Sequence, residues 1–559
     1  MKNLIVFLFL SLSFRLATAN TDINLDASYS EQKWMTVKGA PIGSYSGRVV
    51  SNIGDFNGDG IDDMVINAPN SLHSEMVYVI YGQKDGYSED TILVNAPFSE
   101  GFTIKGPFVN SQFSSFGFSI SKAIDLNGDG LSDIVIGAYQ FSSNQGVVYV
   151  IYGKKGHTGD ITINQDYTFF SSQGFVIFGP QSSQFGYSVG SARDFNGDDF
   201  GDLLIGAPGY GMNQGAVYVI YGKKEKYTNN IYLDTTPTAF TILGSAGNTC
   251  KLGTSVEGVG DINGDGIEDI LFGAPNCYNV YGLYGKKNRV ESTLTVDSNL
   301  DTSKGFVISS LSSTGQFGAI LSTAGDINGD GIQDFILGTY ISSSSRGAYV
   351  FYGRKENWSS FEIDSGYASN QGFMIKDSRS VIASLGVAVS GGDINGDSFD
   401  DILVRARNKT SGGGYVAVIY GSQTSFSGIF DISTDLAVDK GFLISGLDLI
   451  FQSTTNGVAT GDFNNDNLDD IIIGSPQSEI YAGKTYIVFG SSNLRLIVFN
   501  LTNIDGCPRN CSTCESSKCL TCFGGYGLYD GACLECPIGT YLSSKGVCQG
   551  KISLRREKL

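Results

Sequence analysis

Short apolar runs, cut apart by Gly, Asn, Asp and Ser, recur along most of this chain. The third unit displays their order. Phe185–Val189 (FGYSV) leads into a polar loop, Leu203–Pro208 (LLIGAP) leaves it, Gly215–Gly222 (GAVYVIYG) follows, and Ala239–Gly244 (AFTILG) closes the unit. Runs of this length, rich in β-branched and aromatic residues and bounded by turn residues, predict strands. The pattern returns at spacings of 70, 69, 67, 65, 67 and 69 residues. A fixed period decides architecture before any local feature does. Four strands per unit and seven units predict an all-β fold, a seven-bladed β-propeller over residues 20–500. An open β-solenoid would use much shorter repeats and need capping units. No convincing helical periodicity occurs in this region, and the 74 glycines suit close-packed strands.

The count of fourth strands predicts how the ring closes. They follow units one to six at Gly101–Ile104, Gly174–Ile177, Ala239–Ile242, Gly305–Ile308, Gly372–Ile375 and Gly441–Ile444, and none follows unit seven. The missing copy precedes unit one, at Trp34–Gly39 (WMTVKG). An N-terminal strand that completes the last four-stranded blade would remove an open sheet edge.

The polar loop between strands one and two is the most regular feature. It reads DINGDGIED at Asp261–Asp269, and all seven copies keep Asp-x-Asn-x-Asp-x-x-x-Asp. Side-chain oxygens at positions 1, 3, 5 and 9, with the position-7 carbonyl between them, suit a hard cation such as calcium. In the first copy these are Asp55, Asn57, Asp59, Ile61 and Asp63; in the second, Asp125, Asn127, Asp129, Leu131 and Asp133. The third offers Asp194, Asn196, Asp198, Phe200 and Asp202, and the fourth Asp261, Asn263, Asp265, Ile267 and Asp269. Asp326, Asn328, Asp330, Ile332 and Asp334 form the fifth set, and Asp393, Asn395, Asp397, Phe399 and Asp401 the sixth. The seventh is Asp462, Asn464, Asp466, Leu468 and Asp470. Position 12, Phe272 in the fourth copy, lacks the Glu of an EF-hand, and the flanks are strand-like. Up to seven Ca²⁺ ions on β-hairpins are expected.

Charge and chain ends narrow the setting. The net charge of −19 argues against nucleic acid and anionic lipid as partners. The loops account for it: three Asp in each of seven loops make 21 carboxylates, and seven Ca²⁺ would leave about −5. Met1–Ala19, with Lys2, the apolar run Leu4–Leu10 and Ala17-Thr18-Ala19, reads as a signal peptide. No later stretch approaches the ~20 apolar residues that a membrane span needs. A secreted or cell-surface protein without membrane insertion of its own is expected. Sequons at Asn357, Asn408, Asn500 and Asn510 are candidate glycosylation sites.

Phe116-Gly117, Phe185-Gly186 and Phe317-Gly318 in strand one, the loop, and Gly206–Pro208 or Gly273–Pro275 in strand two together resemble FG-GAP repeats. Such repeats form the N-terminal propeller of integrin α subunits and related secreted propellers. The resemblance spans roughly residues 20–500 and implies extracellular recognition or adhesion. An integrin α subunit also has a β-sandwich leg and a transmembrane helix, which this sequence lacks, so pairing with an integrin β-like partner is not strongly implied.

After Asn500 the composition changes. Eight of the ten cysteines lie at Cys507, Cys511, Cys514, Cys519, Cys522, Cys533, Cys536 and Cys548. Three C-x-x-C pairs would suit zinc in a cytosolic protein, but behind a signal peptide four disulfides are expected. Residues 505–549 resemble the furin-like and growth-factor-receptor cysteine-rich modules; the basic tail 550–559 is expected to be solvated. The other two cysteines, Cys250 and Cys277, flank strands one and two of the fourth unit and are expected to form a disulfide.

The strand order places the calcium loops on one face with the strand three-to-four connections. Strand two-to-three loops, among them Ala138–Gly146, Ala207–Gly215 and Thr339–Gly347, gather on the other with the connections between blades. By resemblance that second face meets the ligand, and Tyr139, Phe141, Tyr210 and Tyr340 are its candidate contacts. Arg405-Ala406-Arg407 and Lys409 replace Gly-Ala-Pro in the sixth unit and are expected to form a positive spot or a solvated loop. The two histidines, His73 and His157, sit in different units with no nucleophile marked nearby, so no catalytic residues are assigned and no enzyme is expected. The expected function is that of an extracellular, integrin-α-like calcium-binding propeller mediating cell adhesion or recognition of an extracellular protein or glycan ligand. The alternatives are a lectin-like glycan-binding propeller and the non-catalytic recognition domain of a secreted protein.

Overall fold

Strands two and three of each unit are buried on both faces, which is why they read as unbroken apolar runs rather than alternating ones. In blade 2, Ile134, Ile136 and Ala138 pack toward blade 1, while Val135 packs toward blade 3. Seven such clusters lie between neighbouring blades, one at each interface. The computed structural model describes residues 34–492 apart from loop stretches, the longest being 108–113, 165–172, 340–346, 364–370 and 449–456. It also describes Ile23–Asn24 and six short strands between 511 and 549.

The all-β, seven-bladed propeller forms as expected. Blade 4 runs outward from the axis as Ser255–Gly260, Asp269–Ala274, Asn279–Leu283 and Gly305–Ser310, paired antiparallel with Leu271 opposite Gly282 and Val280 opposite Ile308. The sheets, however, have five strands rather than four. The fifth is a parallel addition from the strand three-to-four connection of the next unit. Phe361–Ile363 joins blade 4 in this way, with Phe361 beside Ile308. These additions are only two to four residues long, too short to leave a pattern of their own.

Ring closure uses more of the N-terminus than its strand pattern predicts. Trp34–Lys38 pairs antiparallel with Lys484–Val488 and completes blade 7, as expected. Ile23–Asn24 also pairs, parallel to Gly441–Asp448, as the fifth strand of blade 6. One segment thus fastens two blades.

The Gly of Gly-Ala-Pro has a packing reason. A Cβ on Gly273 would run into the carbonyl oxygen of Gly318 in blade 5, and Ser255 Oγ donates to that same carbonyl at 2.7 Å. Blade 6 carries Arg405 at this position. Its side chain is buried and donates to the carbonyls of Gly457 (3.4 Å) and Gly474 (3.0 Å) in blade 7. Burial lowers its pKa to about 10. The positive spot expected from Arg405 is therefore an interior bridge between blades; Arg407 is half-buried, and Lys409 lies outside the described residues.

Among the described residues the only helices are single turns such as Phe141–Asn144 and Tyr210–Asn213, both in strand two-to-three loops. None is long and apolar enough to cross a membrane. The Cys-rich segment forms three two-stranded hairpins: Cys511–Glu515 with Lys518–Cys522, Tyr526–Tyr529 with Ala532–Glu535, and Tyr541–Leu542 with Cys548–Gln549. Its side chains, and so its cysteine pairing, lie outside the described residues, as do residues 1–19, Asn500, Asn510 and the basic tail.

Two outcomes are expected. Deleting residues 20–40 strips strands from blades 6 and 7, so the protein should aggregate or unfold without cooperativity; a soluble monomer with an unchanged melting temperature would contradict this closure. Gly273→Ala should destabilise by about 1–3 kcal/mol, as overpacking does, read as a lower denaturation midpoint, whereas Gly266→Ala, open to solvent, tests only the strain of its φ of +84°.

Candidate functional site

Each polar loop is shaped by its own carboxylates. Asp55 accepts from the backbone N–H groups of Gly58 (2.6 Å), Asp59 (3.1 Å) and Gly60 (2.8 Å), and Asp59 Oδ1 accepts from Ile61 N–H at 3.0 Å. The wrap requires left-handed backbone at position 6. Gly60 has φ +87°, and Asp199, Ser398 and Asn467 adopt +71°, +70° and +65° without glycine's freedom. Position 4 is left-handed too, as at Gly58 (+77°) and Asn465 (+58°).

Position 9 joins the loop to the blade. Asp269 is fully buried; its Oδ2 accepts from Ile262 N–H (3.1 Å) and its Oδ1 from Gly285 N–H (2.8 Å), just past strand three. The second bond recurs in every blade, from Gly82, Gly153, Gly222, Gly353, Gly421 and Gly490 to the local position-9 carboxylate at 2.7–2.9 Å. The strand-three exits then lace the loops together. Lys286 N–H donates to the Phe195 carbonyl of the preceding blade at 3.0 Å. Equivalent bonds run from Lys154 to Phe56, Lys223 to Leu126, Arg354 to Ile262, Ser422 to Ile327, Ser491 to Ile394 and Gln83 to Phe463, which closes the circle.

Among the described residues no three His, Cys, Asp or Glu side chains gather into a metal cluster. The mixed donor set of each loop nevertheless fits a hard cation on two counts. Asn196 Oδ1, at position 3 of the third loop, is buried without a hydrogen-bond partner. Burial pushes the Asp269 carboxyl up to about 8, and the nearby charges of Asp265 and Asp261 add to the rise. A divalent ion held by positions 1, 3, 5 and 9 and the position-7 carbonyl would satisfy that amide oxygen and offset the repulsion.

The opposite end of the axis is built differently. First strands of blades 2 to 5, strand two-to-three residues of blades 2 to 4, the between-blade residues Gln184, Lys251 and Gln316, and Val49 of blade 1 surround a cavity of ≈ 290 Å³. Phe118, Tyr139 and Tyr187 form one wall, with ring centroids 4.5–5.1 Å apart. Arg48 of blade 1 lies over Phe118 at 5.2 Å. Beneath, Lys122 of blade 2 reaches Glu257 of blade 4 at 2.6 Å and Ser322 of blade 5 at 3.0 Å. Glu257 borders this cavity and a second one, of ≈ 300 Å³, that also touches Asp400 and Asp469 next to the loops.

The candidate contacts therefore separate. Tyr139 stands in the cavity wall. Phe141 does not face a ligand: it is buried against Phe178 because its ring fills the cluster between blades 1 and 2. Tyr210 is half-buried, edge-on to Tyr218, and Tyr340 lies outside the described residues. Asn357 is exposed, and its amide accepts from Asn263 of the fourth loop at 3.2 Å; the Asn408 side chain lies outside the described residues. Phe118 and Tyr187 are not among the expected contacts, although an aromatic directly after the Phe-Gly glycine marks both. Lys122 and Glu257, charged positions in otherwise apolar first strands, were the signal for the axial pair. Cys250 and Cys277 are bonded, with Cα atoms 4.9 Å apart. His157 is buried between Phe56 and Phe102, and its Nε2 lies 3.1 Å from the Gly159 carbonyl.

Comparison with known proteins agrees with this geometry. Residues 46–80, 116–151, 185–220, 385–419 and 454–488 match the FG-GAP repeat, one stretch each in blades 1, 2, 3, 6 and 7. Over 229 residues the chain is 32% identical to integrin alpha pat-2 of Caenorhabditis elegans, covering 40% of this chain and 17% of that one. It is 28% identical over 225 residues to phosphatidylinositol-glycan-specific phospholipase D of Dictyostelium discoideum, covering 36% and 22%. Human integrin alpha-11 is 27% identical over 205 residues, covering 35% and 16%. The matches thus span about a fifth or less of those relatives. A solved structure, rhamnogalacturonan lyase YesW, aligns over 86% of this chain and 79% of its own at 11% identity and a TM-score of 0.38, too low to bear on function. The repeats and the integrin α homology support an integrin-α-like propeller.

Replacing both Cys250 and Cys277 by Ser should lower stability by about 2–4 kcal/mol, from loop-closure entropy over 27 residues. The check is guanidinium unfolding under non-reducing conditions, and an unchanged midpoint would mean the bridge does not form in the native protein.

Proposed function

We propose that this chain is an extracellular, calcium-loaded recognition propeller that binds a cell-surface or matrix ligand through the face away from its polar loops. The observation that carries the reading is the contrast between the two ends of the axis. At one end, loop carboxylates and amides are committed to each other and to neighbouring blades, which leaves few groups for a partner. At the other, an aromatic-walled cavity opens among loops that differ from blade to blade, and such surfaces furnish interface anchors. The homology to integrin α subunits supports ligand recognition in general; secretion behind Met1–Ala19 belongs to the same proposal.

Calcium acts indirectly in this reading. Seven ions hold the laced loops rigid and so preorganise the far face. Affinities on the order of 10⁻⁴–10⁻³ M suit an extracellular module. The third and sixth loops are the weakest, because Asp199 and Ser398 bear left-handed backbone where glycine bears it freely. The module is non-catalytic. One relative is named as a phospholipase D; in this chain His157 is committed to the core beside Phe56 and Phe102.

Calcium titration should release heat and raise the melting temperature, and excess chelator should reverse the rise; no uptake by calorimetry would reject the ions. For the ligand face, Asp265→Ala should lower stability while weakening binding to cultured cells only modestly. Tyr139→Ala should keep the melting temperature and weaken cell binding strongly. Binding lost only in stably folded loop mutants would place the contact at the other end.

A further inference from the structure

We infer that the axial cavity of blades 2 to 5 is a saccharide subsite that takes one anionic, carboxylate-bearing sugar unit of a larger glycan. This rests on the recognition reading above and assigns that face a ligand class. The cavity measures ≈ 290 Å³, at the lower end of the roughly 300–1,000 Å³ typical of small-molecule sites. It has room for one or two sugar rings. Its wall of Phe118, Tyr139 and Tyr187 is a set of mutually braced rings, rigid apolar surface against which the C–H face of a pyranose can lie with little loss of entropy.

Several polar groups around that wall lack protein partners, although Ser119, Ser188, Thr254 and Asn276 bond backbone carbonyls. Among the described residues the hydroxyls of Tyr139 and Tyr187, the amides of Gln184 and Gln316, and the Lys251 ammonium make no hydrogen bond or ion pair, though all border the cavity. Separate donors and acceptors spread round a small cavity match the spread hydroxyls of a sugar ring. The charge balance then chooses the kind of sugar. Glu257 is neutralised by Lys122 at 2.6 Å, so Lys251 leaves the cavity positive. This occurs in a chain of net charge −19. A carboxylate gives Lys251 a charge-assisted bond that a neutral sugar cannot. An Asp or Glu side chain of a peptide would satisfy Lys251 too, but would leave the amides, hydroxyls and aromatic wall without partners.

The test is saturation-transfer NMR on the full chain with D-glucuronic acid, N-acetylneuraminic acid, glucose and N-acetylglucosamine at equal concentration, followed by titration of any sugar that responds. At least one acid should receive saturation and bind more tightly than both neutral sugars. Lys251→Gln should weaken that acid about tenfold, the loss of one charge-assisted hydrogen bond, and bring it to the neutral level. Tyr187→Ala should abolish the signal, and Tyr187→Phe, which keeps the ring, should retain most of it; melting temperatures confirm that each variant is folded. No transfer to either acid, equal transfer to acids and neutral sugars, or acid binding indifferent to Lys251→Gln overturns the proposal. So does a short Asp-rich peptide that binds in a Lys251-dependent way where neither acid does. Cell binding that is lost in Tyr139→Ala while neither acid binds would overturn the sugar class and leave the recognition reading standing.

Discussion

The structure depends on one buried carboxylate per blade. The Asp at position 9 of each polar loop sits out of water and spends its oxygens on backbone N–H groups, at least one inside the loop and one at the end of strand three. A buried carboxylate is tolerable only when it is bonded in this way or offset by a cation. That requirement fixes where the loop lies against its sheet. It also fixes the exit of strand three, because the residue after the donating glycine turns back to bond the preceding blade's loop. Blade spacing at this end is therefore set by hydrogen bonds rather than by the fit of apolar side chains.

At the other end spacing is set by contact. Gly273 must be glycine because the Gly318 carbonyl lies where its Cβ would be. Arg405 is admitted at the matching place in blade 6 because its side chain leaves toward blade 7 and finds two carbonyls. These contacts keep the blades close near the axis, and backbone bonds such as Lys251 N–H to Asn213 carbonyl tie the loops beyond them, while the side chains those loops carry differ from blade to blade. Variation can accumulate there without disturbing the ring, and a recognition surface needs that freedom. The polar-loop end, by contrast, repeats because each copy answers to its neighbour.

The axial Lys122–Glu257 pair stands between these two regimes. It spans from blade 2 to blade 4 and divides the axial space into an aromatic cavity and a more acidic one. Glu257 is almost wholly buried while Lys122 is about a third exposed, so the pair closes the space between the cavities more than it holds blades together. The electrostatic character of the aromatic cavity follows, since among the described residues Glu257, the one carboxylate that borders it, is already matched.

What the amino-acid sequence determined by itself was the repeat of its main strands and polar loops. The seven-fold period, the Asp-x-Asn-x-Asp-x-x-x-Asp loops, the four main strands and the N-terminal closure at Trp34–Lys38 were legible because each follows from local pattern. Left-handed positions announce themselves through Gly and Asn, and doubly buried strands through unbroken apolar runs. The Cys250 and Cys277 positions were legible for a related reason, since strand order alone brings them to one end of one blade. Tertiary structure decided what depends on two blades meeting. The fifth strands are too short for a period and exist only because a neighbouring edge is offered to them. Phe141 and Arg405 looked like surface groups, because exposure in a loop cannot be read without knowing which adjacent blade covers it. Phe118, Tyr139 and Tyr187 come from two blades and three segments, so their wall exists only after the ring has closed. A site made across blades has no signature in any single repeat.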